Sequence, residues 1–221
     1  MPRAESKYKS EVYDRSGLPW GVQKALCTGV EVILEEEKFP EHKKGKGIDM
    51  IVNMNFLPAG HTYPVSATYE LRIRVDQDNM IIVDDNKDTP MDERVNIAAF
   101  HEALAKIGYI GGFGTNTAWC DLNDKEINYE DIEMELNTFI ADVKPEVIVF
   151  VEKYRDKDGA VRNSITPWGM KDNNQAGLRA ANRTFANKIA ATKALFETND
   201  GPPVLDTSTP TPSPVKPGKR F

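Results

Sequence analysis

Residues 21–37, GVQKALCTGVEVILEEE, alternate in polarity for most of their length, and this run dictates how the chain begins to fold. Val22, Lys24, Leu26 and Thr28 alternate with Gln23, Ala25 and Cys27, and then Val30, Val32 and Leu34 alternate with Gly29, Glu31 and Ile33. A period of two residues is the signature of a strand, because successive side chains leave opposite faces of the pleat. Gly29, in the middle of the run, marks a bulge or a sharp bend. Residues 38–47 follow as a loop with breakers and lysines. A second strand is expected over 48–57, IDMIVNMNFL, and Pro58-Ala59-Gly60 is a turn. A third runs through 69–75, YELRIRV. After the Asp78-Asn79 turn, MIIVDD returns as its hairpin partner.

The period then changes. Thr89 is a cap, Pro90 suits a first turn and Asp92 suits the capping-box position, while Ile97, Phe100, Leu104 and Ile107 recur at helical spacing up to Gly108. Residues 108–120, GYIGGFGTNTAWC, read as a flexible glycine-rich connection. Residues 121–137 are acidic, partly helical and most simply a solvated face. Residues 146–154, EVIVFVEKY, form a strand that turns at Arg155-Asp156-Lys157-Asp158-Gly159 and pairs with 161–168, where Pro167 stops it. A single helix over 178–197 shows an apolar face of Leu178, Ala181, Phe185, Ile189 and Leu195 or Phe196. The expected organisation is an N-terminal arm over 1–18, one domain over 19–198 with an acidic insertion near 121–137, and a disordered proline- and threonine-rich tail over 199–221.

Composition narrows the class. Apolar residues are 40% of the 221 and charged residues 28%, enough for a packed core. The net charge of −6 argues against a protein that coats duplex DNA through charge alone. Cys27 and Cys120 form no CxxC, which excludes a disulfide framework and a zinc site of that kind. No apolar run approaches the roughly 18 residues of a membrane span, and the polar N-terminus lacks a signal-peptide core. A cytoplasmic protein is the expectation.

Three strands, a helix and a two-stranded hairpin come in the order of an OB-fold. The expected fold class is therefore mostly β (α+β): a five-stranded OB-like barrel with a helix between strands 3 and 4, plus a C-terminal helix. Such barrels bind oligonucleotides with the loops between strands 1 and 2 and strands 4 and 5, brought to one side. Here those loops are 38–47, with Lys43, Lys44 and Lys46, and 155–160, with Lys153, Arg155 and Lys157 and with Arg162 just beyond. Phe39, Phe56, Tyr154 and Trp168 sit beside these charges. Tyr154 and Trp168 are the better stacking candidates, and Phe56 belongs to the core. Arg72 and Arg74 share one strand face and complete the candidate site. Residues 141–195 hold ten Lys plus Arg against six Asp plus Glu, so positive charge gathers toward this region. Cations for phosphates and flat rings for bases are what single-stranded nucleic acid requires.

The stretch Val147–Trp168, VIVFVEKYRDKDGAVRNSITPW, resembles the final hairpin of phage-encoded OB-fold single-stranded-DNA-binding proteins, and Asn96–Gly108, NIAAFHEALAKIG, resembles the helix before it. The resemblance implies a role in phage DNA replication or recombination, with single-stranded DNA and replication or recombination proteins as partners. A homo-oligomer is compatible with it. Phe221 also ends the chain, as Phe often does in bacterial single-stranded-DNA-binding proteins, but Lys219-Arg220 precede it where those have an acidic tail. No enzyme, cofactor or metal is expected. Two other classes compete: a structural or interaction protein of a phage, and a metal-dependent nuclease built on Asp84, Asp85 and Asp88, which lacks a base, a nucleophile and a ligand set. Asp156-Lys157-Asp158-Gly159 lacks the remaining ligands of a calcium loop. His42, His61 and His101 have no ligand spacing.

Overall fold

The computed structural model describes residues 18–82 and 97–196. The N-terminal arm, the proposed cap at Thr89, the acids Asp84, Asp85 and Asp88, and the 199–221 tail lie outside the described residues. Within them the protein is mixed α+β with antiparallel sheets. Strands β1 (Gly21–Ile33), β2 (Met50–Pro58) and β3 (Val65–Leu71) form a meander, and β7 (Glu146–Arg155) and β8 (Val161–Ile165) extend it on the other side of β1. The order is β3-β2-β1-β7-β8, with a short strand β9 (Lys171–Asp172) on β7. A second small sheet joins β4 (Gly112–Phe113), β5 (Trp119–Cys120) and β6 (Glu126–Ile127). Helix α1 (Ile97–Ile107) lies between β3 and β4, α2 (Ile132–Val143) precedes β7, and α3 (Gln175–Thr184) and α4 (Ala186–Phe196) follow β9.

β1 serves two partners because it changes course at the glycine. Its first half pairs with β7, from Gly21↔Val151 to Leu26↔Glu146, and Ala25 through Ile33 pair with β2. The β2 register shifts between Cys27 and Gly29, the bulge expected there. Beyond the bulge β7 has ended, so one edge of β1 faces α2. Three side-chain contacts replace the missing strand: Val30 N donates to Asn137 Oδ1 at 2.8 Å, Asn137 Nδ2 donates to Val30 O at 2.8 Å, and Val32 N donates to Glu133 Oε2 at 2.8 Å. Glu133 and Asn137 stand four residues apart, one position beyond the buried Ile132 and Leu136, so the helix face that packs also presents the hydrogen-bonding pair. Part of the acidic segment is thus structural and not a free solvated face. Gly29 is the right residue opposite, since a Cβ there would stand 3.1 Å from Asn137 Oδ1.

The main core packs against one face of the sheet. Buried Met50, Val52, Met54, Phe56, Ala67, Tyr69 and Leu71 meet Ile97, Phe100, Leu104 and Ile107 of α1, which ends at Gly108 as its spacing predicts. Trp119, fully buried, fastens the small sheet to this core against Phe100 and Phe113 at ring distances of 5.8 and 5.1 Å. β7 is apolar on both faces because it has two cores to fill. Val147, Val149 and Val151 enter the first, and Ile148 and Phe150 enter a second with Val22, Leu178, Ala181 and Phe185. Phe150 and Phe185 stack at 4.5 Å, and the single helix expected over 178–197 breaks at this anchor into α3 and α4.

Three further expectations are corrected. The third strand stops at Leu71: Ile73 N turns to the Asp49 carboxylate and Arg74 N to Arg72 O, and the hairpin that follows keeps one bridge, Val75↔Ile81. Residues 108–120 are not a loose connection but fold into β4 and β5. β3 and β8 lie side by side without a ladder, linked where Tyr69 Oη donates to Pro167 O at 3.2 Å. No described helix is long and apolar enough to cross a membrane.

Replacing Asn137 by Ala strands the Val30 N–H and C=O at the β1 edge. Orphaned backbone groups cost about 1–3 kcal/mol each, so urea unfolding of Asn137→Ala is expected to show a loss of about 2–4 kcal/mol. Asn137→Asp, which retains an acceptor for Val30 N, is expected to lose less.

Candidate nucleic-acid interface

The hairpin of β7 and β8 is the most exposed collection of cations and rings among the expected site residues. Asp156 builds its tip: Asp156 Oδ1 accepts from Asp158 N at 3.0 Å and Ala160 N at 2.8 Å, and Arg162 Nε donates to Asp156 Oδ2. The Arg162 contact and these backbone donors hold the Asp156 carboxyl below the usual carboxylate range. Tyr154 and Arg162 are direct partners across the ladder, so ring and guanidinium share one face. Tyr154 is 38% exposed, and Trp168, carried past the end of β8 by Pro167, is 36% exposed. Arg155 and Lys157 are exposed beside them.

Lys153 departs from the expectation. It is 4% exposed, with its Nζ 5.0 Å from the centre of the Phe196 ring, and the Arg155 guanidinium stands 5.5 Å from the same ring. The C-terminal residue of α4 therefore holds two of the expected phosphate-binding cations by cation–π contact. Sequence spacing alone gave no sign of this, since α4 is brought to β7 by tertiary contacts, among them the Phe185 anchor before it, Ile189 and the Lys188–Glu152 ion pair at 3.0 Å.

The loop after β1 is engaged with its own neighbours. Lys43 pairs with Glu70 of β3, Lys44 with Glu41 at 2.6 Å, and Lys46 is exposed. Phe39 is buried with Ile48 and Ile51, and Phe56 is wholly buried, so neither ring is available for stacking. This loop leaves β1 at Ile33, whereas β7 pairs at the Gly21 end and continues past it to Arg155. The ladder thus attaches the two basic loops to opposite ends of β1. Arg72, half-buried, and Arg74, exposed, lie in the turn beyond β3 and not on a strand face.

Between the loops the outward face of β1, β2 and β3 carries polar rungs, and at its end Ile33 and Ile51 pack with Phe39. Thr68 Oγ1 donates to Asn53 Oδ1 at 2.8 Å, Asn53 Nδ2 donates to Glu31 Oε2 at 2.9 Å, and Ser66 Oγ donates to Asn55 Oδ1 at 2.6 Å. Among the described residues no group of three or more His, Cys, Asp or Glu side chains is arranged to hold a metal ion.

A cleft of about 590 Å³ opens elsewhere, between α1 and the small sheet, lined by His101, Tyr109, the 110–114 glycine segment, Cys120, Asp121, Leu122 and Asp124 among others. Its wall is backbone. A Cβ on Gly111 would meet Cys120 O at 2.6 Å, and Gly112, at φ +147°, would bring one to 2.9 Å from His101 Nε2. Sequence reasoning missed this feature because glycine spacing does not reveal what the backbone encloses.

His101 Nε2 accepts from Phe113 N at 3.1 Å, and burial pushes the imidazole pKa down. The depressed value means that the unfolded chain binds this proton first. Stability is full at high pH and is lost as pH falls below about 6.5 toward the folded value. Denaturation measured from pH 8 to pH 5 is expected to show this decline, and His101→Gln, which retains an acceptor for Phe113 N, is expected to remove that component of it.

No protein-family model, curated protein or solved structure matches this chain.

Proposed function

We propose that this chain is a non-catalytic single-stranded-DNA-binding protein built on an OB-type barrel, acting in phage DNA replication or recombination. The observation that carries the reading is the β7–β8 hairpin, where exposed Tyr154 and Trp168 stand with exposed Arg155 and Lys157, and where Arg162, across the ladder from Tyr154, is ion-paired with Asp156 at the tip. Rings there take base faces and cations take phosphates, the pairing that unpaired strands offer and a duplex hides. The strand order supports the fold assignment: a bulged β1 shared between β2 and β7, a helix before β7, and β8 lying beside β3 give the succession of an OB barrel.

The reading differs in emphasis from a loop-to-loop clamp. Lys43 and Lys44 are neutralised by Glu70 and Glu41, and the polar rungs of β2 and β3 offer hydrogen bonds without stacking. Base contact is therefore concentrated on the hairpin. Lys46, Arg72 and Arg74 are secondary phosphate contacts. The net charge of −6 limits long-range attraction, which makes the local cluster decisive.

Fluorescence titration with labelled single- and double-stranded oligonucleotides at two salt concentrations tests the proposal. The single strand is expected to bind more tightly. Tyr154→Ala or Trp168→Ala is expected to cost about 1–3 kcal/mol per stacked base with the salt slope unchanged. Lys157→Ala is expected to weaken all sequences alike and reduce the slope by about 0.7. Equal affinity for duplex, or no response to either class of variant, rejects the site. Labelled DNA incubated with the protein and magnesium or manganese is expected to stay intact, and cleavage lost in Asp85→Ala would establish the nuclease instead.

A further inference from the structure

We propose that Arg179 and Arg183, on the outward face of α3, hold the phosphate backbone of the single strand whose bases stack on the β7–β8 hairpin. The proposal rests on the DNA-binding reading and extends its site onto a helix.

The chain delivers α3 to the hairpin along β7. The helix starts beside β9, which pairs with Val147 and Ile148, and its first turn lies so close that a Cβ on Gly177 would stand 2.2 Å from Asp172 O. It is capped at its far end by Phe185, whose ring stacks on Phe150. Successive turns of α3 therefore lie nearer the hairpin. Phe185 also meets the segment that carries Trp168, since a Cβ on Gly169 would stand 2.8 Å from Phe185 Cζ. Trp168 and Arg183 are thus each within two residues of one contact, and past Phe185 the Lys188 ammonium reaches Glu152 of β7.

Charge is one-sided here. Residues 173–196 contain Arg179, Arg183, Lys188 and Lys193 and no aspartate or glutamate. Gly177, Leu178 and Ala181 form the buried face of α3, and the helical repeat puts Arg179 and Arg183 on the opposite face, both exposed. Among the described residues neither has an ion pair, whereas Lys188 is paired with Glu152. Like charges four residues apart destabilise a helix. The pair therefore costs the free protein stability, and an anionic ligand offsets that cost. A local choice that opposes the fold without an internal compensation is where a functional site is expected.

The anion that fits is a run of phosphates. Each guanidinium presents a rigid fork of donors that matches phosphate oxygens. One helical turn, about 6 Å along the axis, separates the two arginines, so they meet different phosphates of one strand. Tyr154 and Trp168 take the bases, and the backbone leaves the hairpin across α3. With a net charge of −6 the chain as a whole does not attract a polyanion, so the local field of this helix and the hairpin decides where the strand lies.

The experiment titrates the full chain with fluorescein-labelled oligothymidylates of about 4 and about 16 nucleotides, the limits of a usual OB-domain site, over a series of salt concentrations. With the longer strand, Arg179→Ala and Arg183→Ala are each expected to reduce the salt slope by about 0.7 and to weaken binding about fivefold at roughly 0.1 M salt. The shorter strand, held by the hairpin alone, is expected to respond to Tyr154→Ala and to neither arginine variant. Arg179→Lys with Arg183→Lys, which keeps both charges, is expected to retain the slope. Lys125→Ala removes an equal exposed charge beside β6 and is expected to leave slope and affinity nearly unchanged. Arginine variants that behave as Lys125→Ala does, while the single strand is still preferred over duplex and Tyr154→Ala still weakens it, overturn this inference and leave the hairpin reading standing. Absence of any single-strand preference rejects both. A polyglutamate peptide of equal charge that binds as tightly as the longer oligothymidylate, and loses affinity when both arginines are replaced by Ala, would assign α3 to an acidic protein partner and also overturn the proposal.

Discussion

The edge of β1 beyond its bulge is the constraint on which the rest of the architecture depends. A strand that pairs with two neighbours over different halves leaves a stretch of backbone with a partner on one side only, and buried peptide groups without partners are costly. The Asn137 carboxamide acts there as a single peptide unit of a strand that is not present, giving one donor and one acceptor to Val30, while Glu133 takes the Val32 N–H. Because α2 leads through Lys144, in the left-handed conformation, and Pro145 directly into β7, the same contacts fix where β7 begins. Pro145 O accepts from Cys27 N at the junction. The register of β7 against β1, and with it the placement of the hairpin, follows from a helix docked on an open strand edge.

That placement explains the unusual burial of β7. One face closes the main core and the other is roofed by α3, so charge is tolerated only where the strand outruns both. Glu152 marks the transition with its ion pair to Lys188, and Lys153 and Arg155 settle around Phe196. The Phe196 ring engages both cations within the chain itself.

Charge is partitioned in the fold as it is in the sequence. The C-terminal part of the domain is basic, and the small sheet with the approach to α2 is acidic. Some of the acids have structural partners, Glu133 at β1 and Asp121 in its own turn, whereas Asp124 is exposed at the cleft.

What the sequence by itself determined was local. The period-two runs, the glycine bulge at Gly29, the helix of Ile97, Phe100, Leu104 and Ile107, the Asp-Gly hairpin and the exposure of Tyr154 and Trp168 are all set by neighbours within a few residues, where side-chain periodicity and turn chemistry act. Tertiary structure decided everything that depended on which distant groups meet. It ended the third strand at Leu71 because Asp49 offered Ile73 a better partner than a continued ladder, and it broke the last helix at Phe185 because that ring stacks on Phe150. It also buried Lys153 under Phe196, paired Lys43 with Glu70, and turned a glycine-rich connection into the wall of a cleft. Periodicity records which face of an element is apolar. It carries no record of what will be packed against that face, and the availability of a charge or a ring for a ligand is a property of the packing.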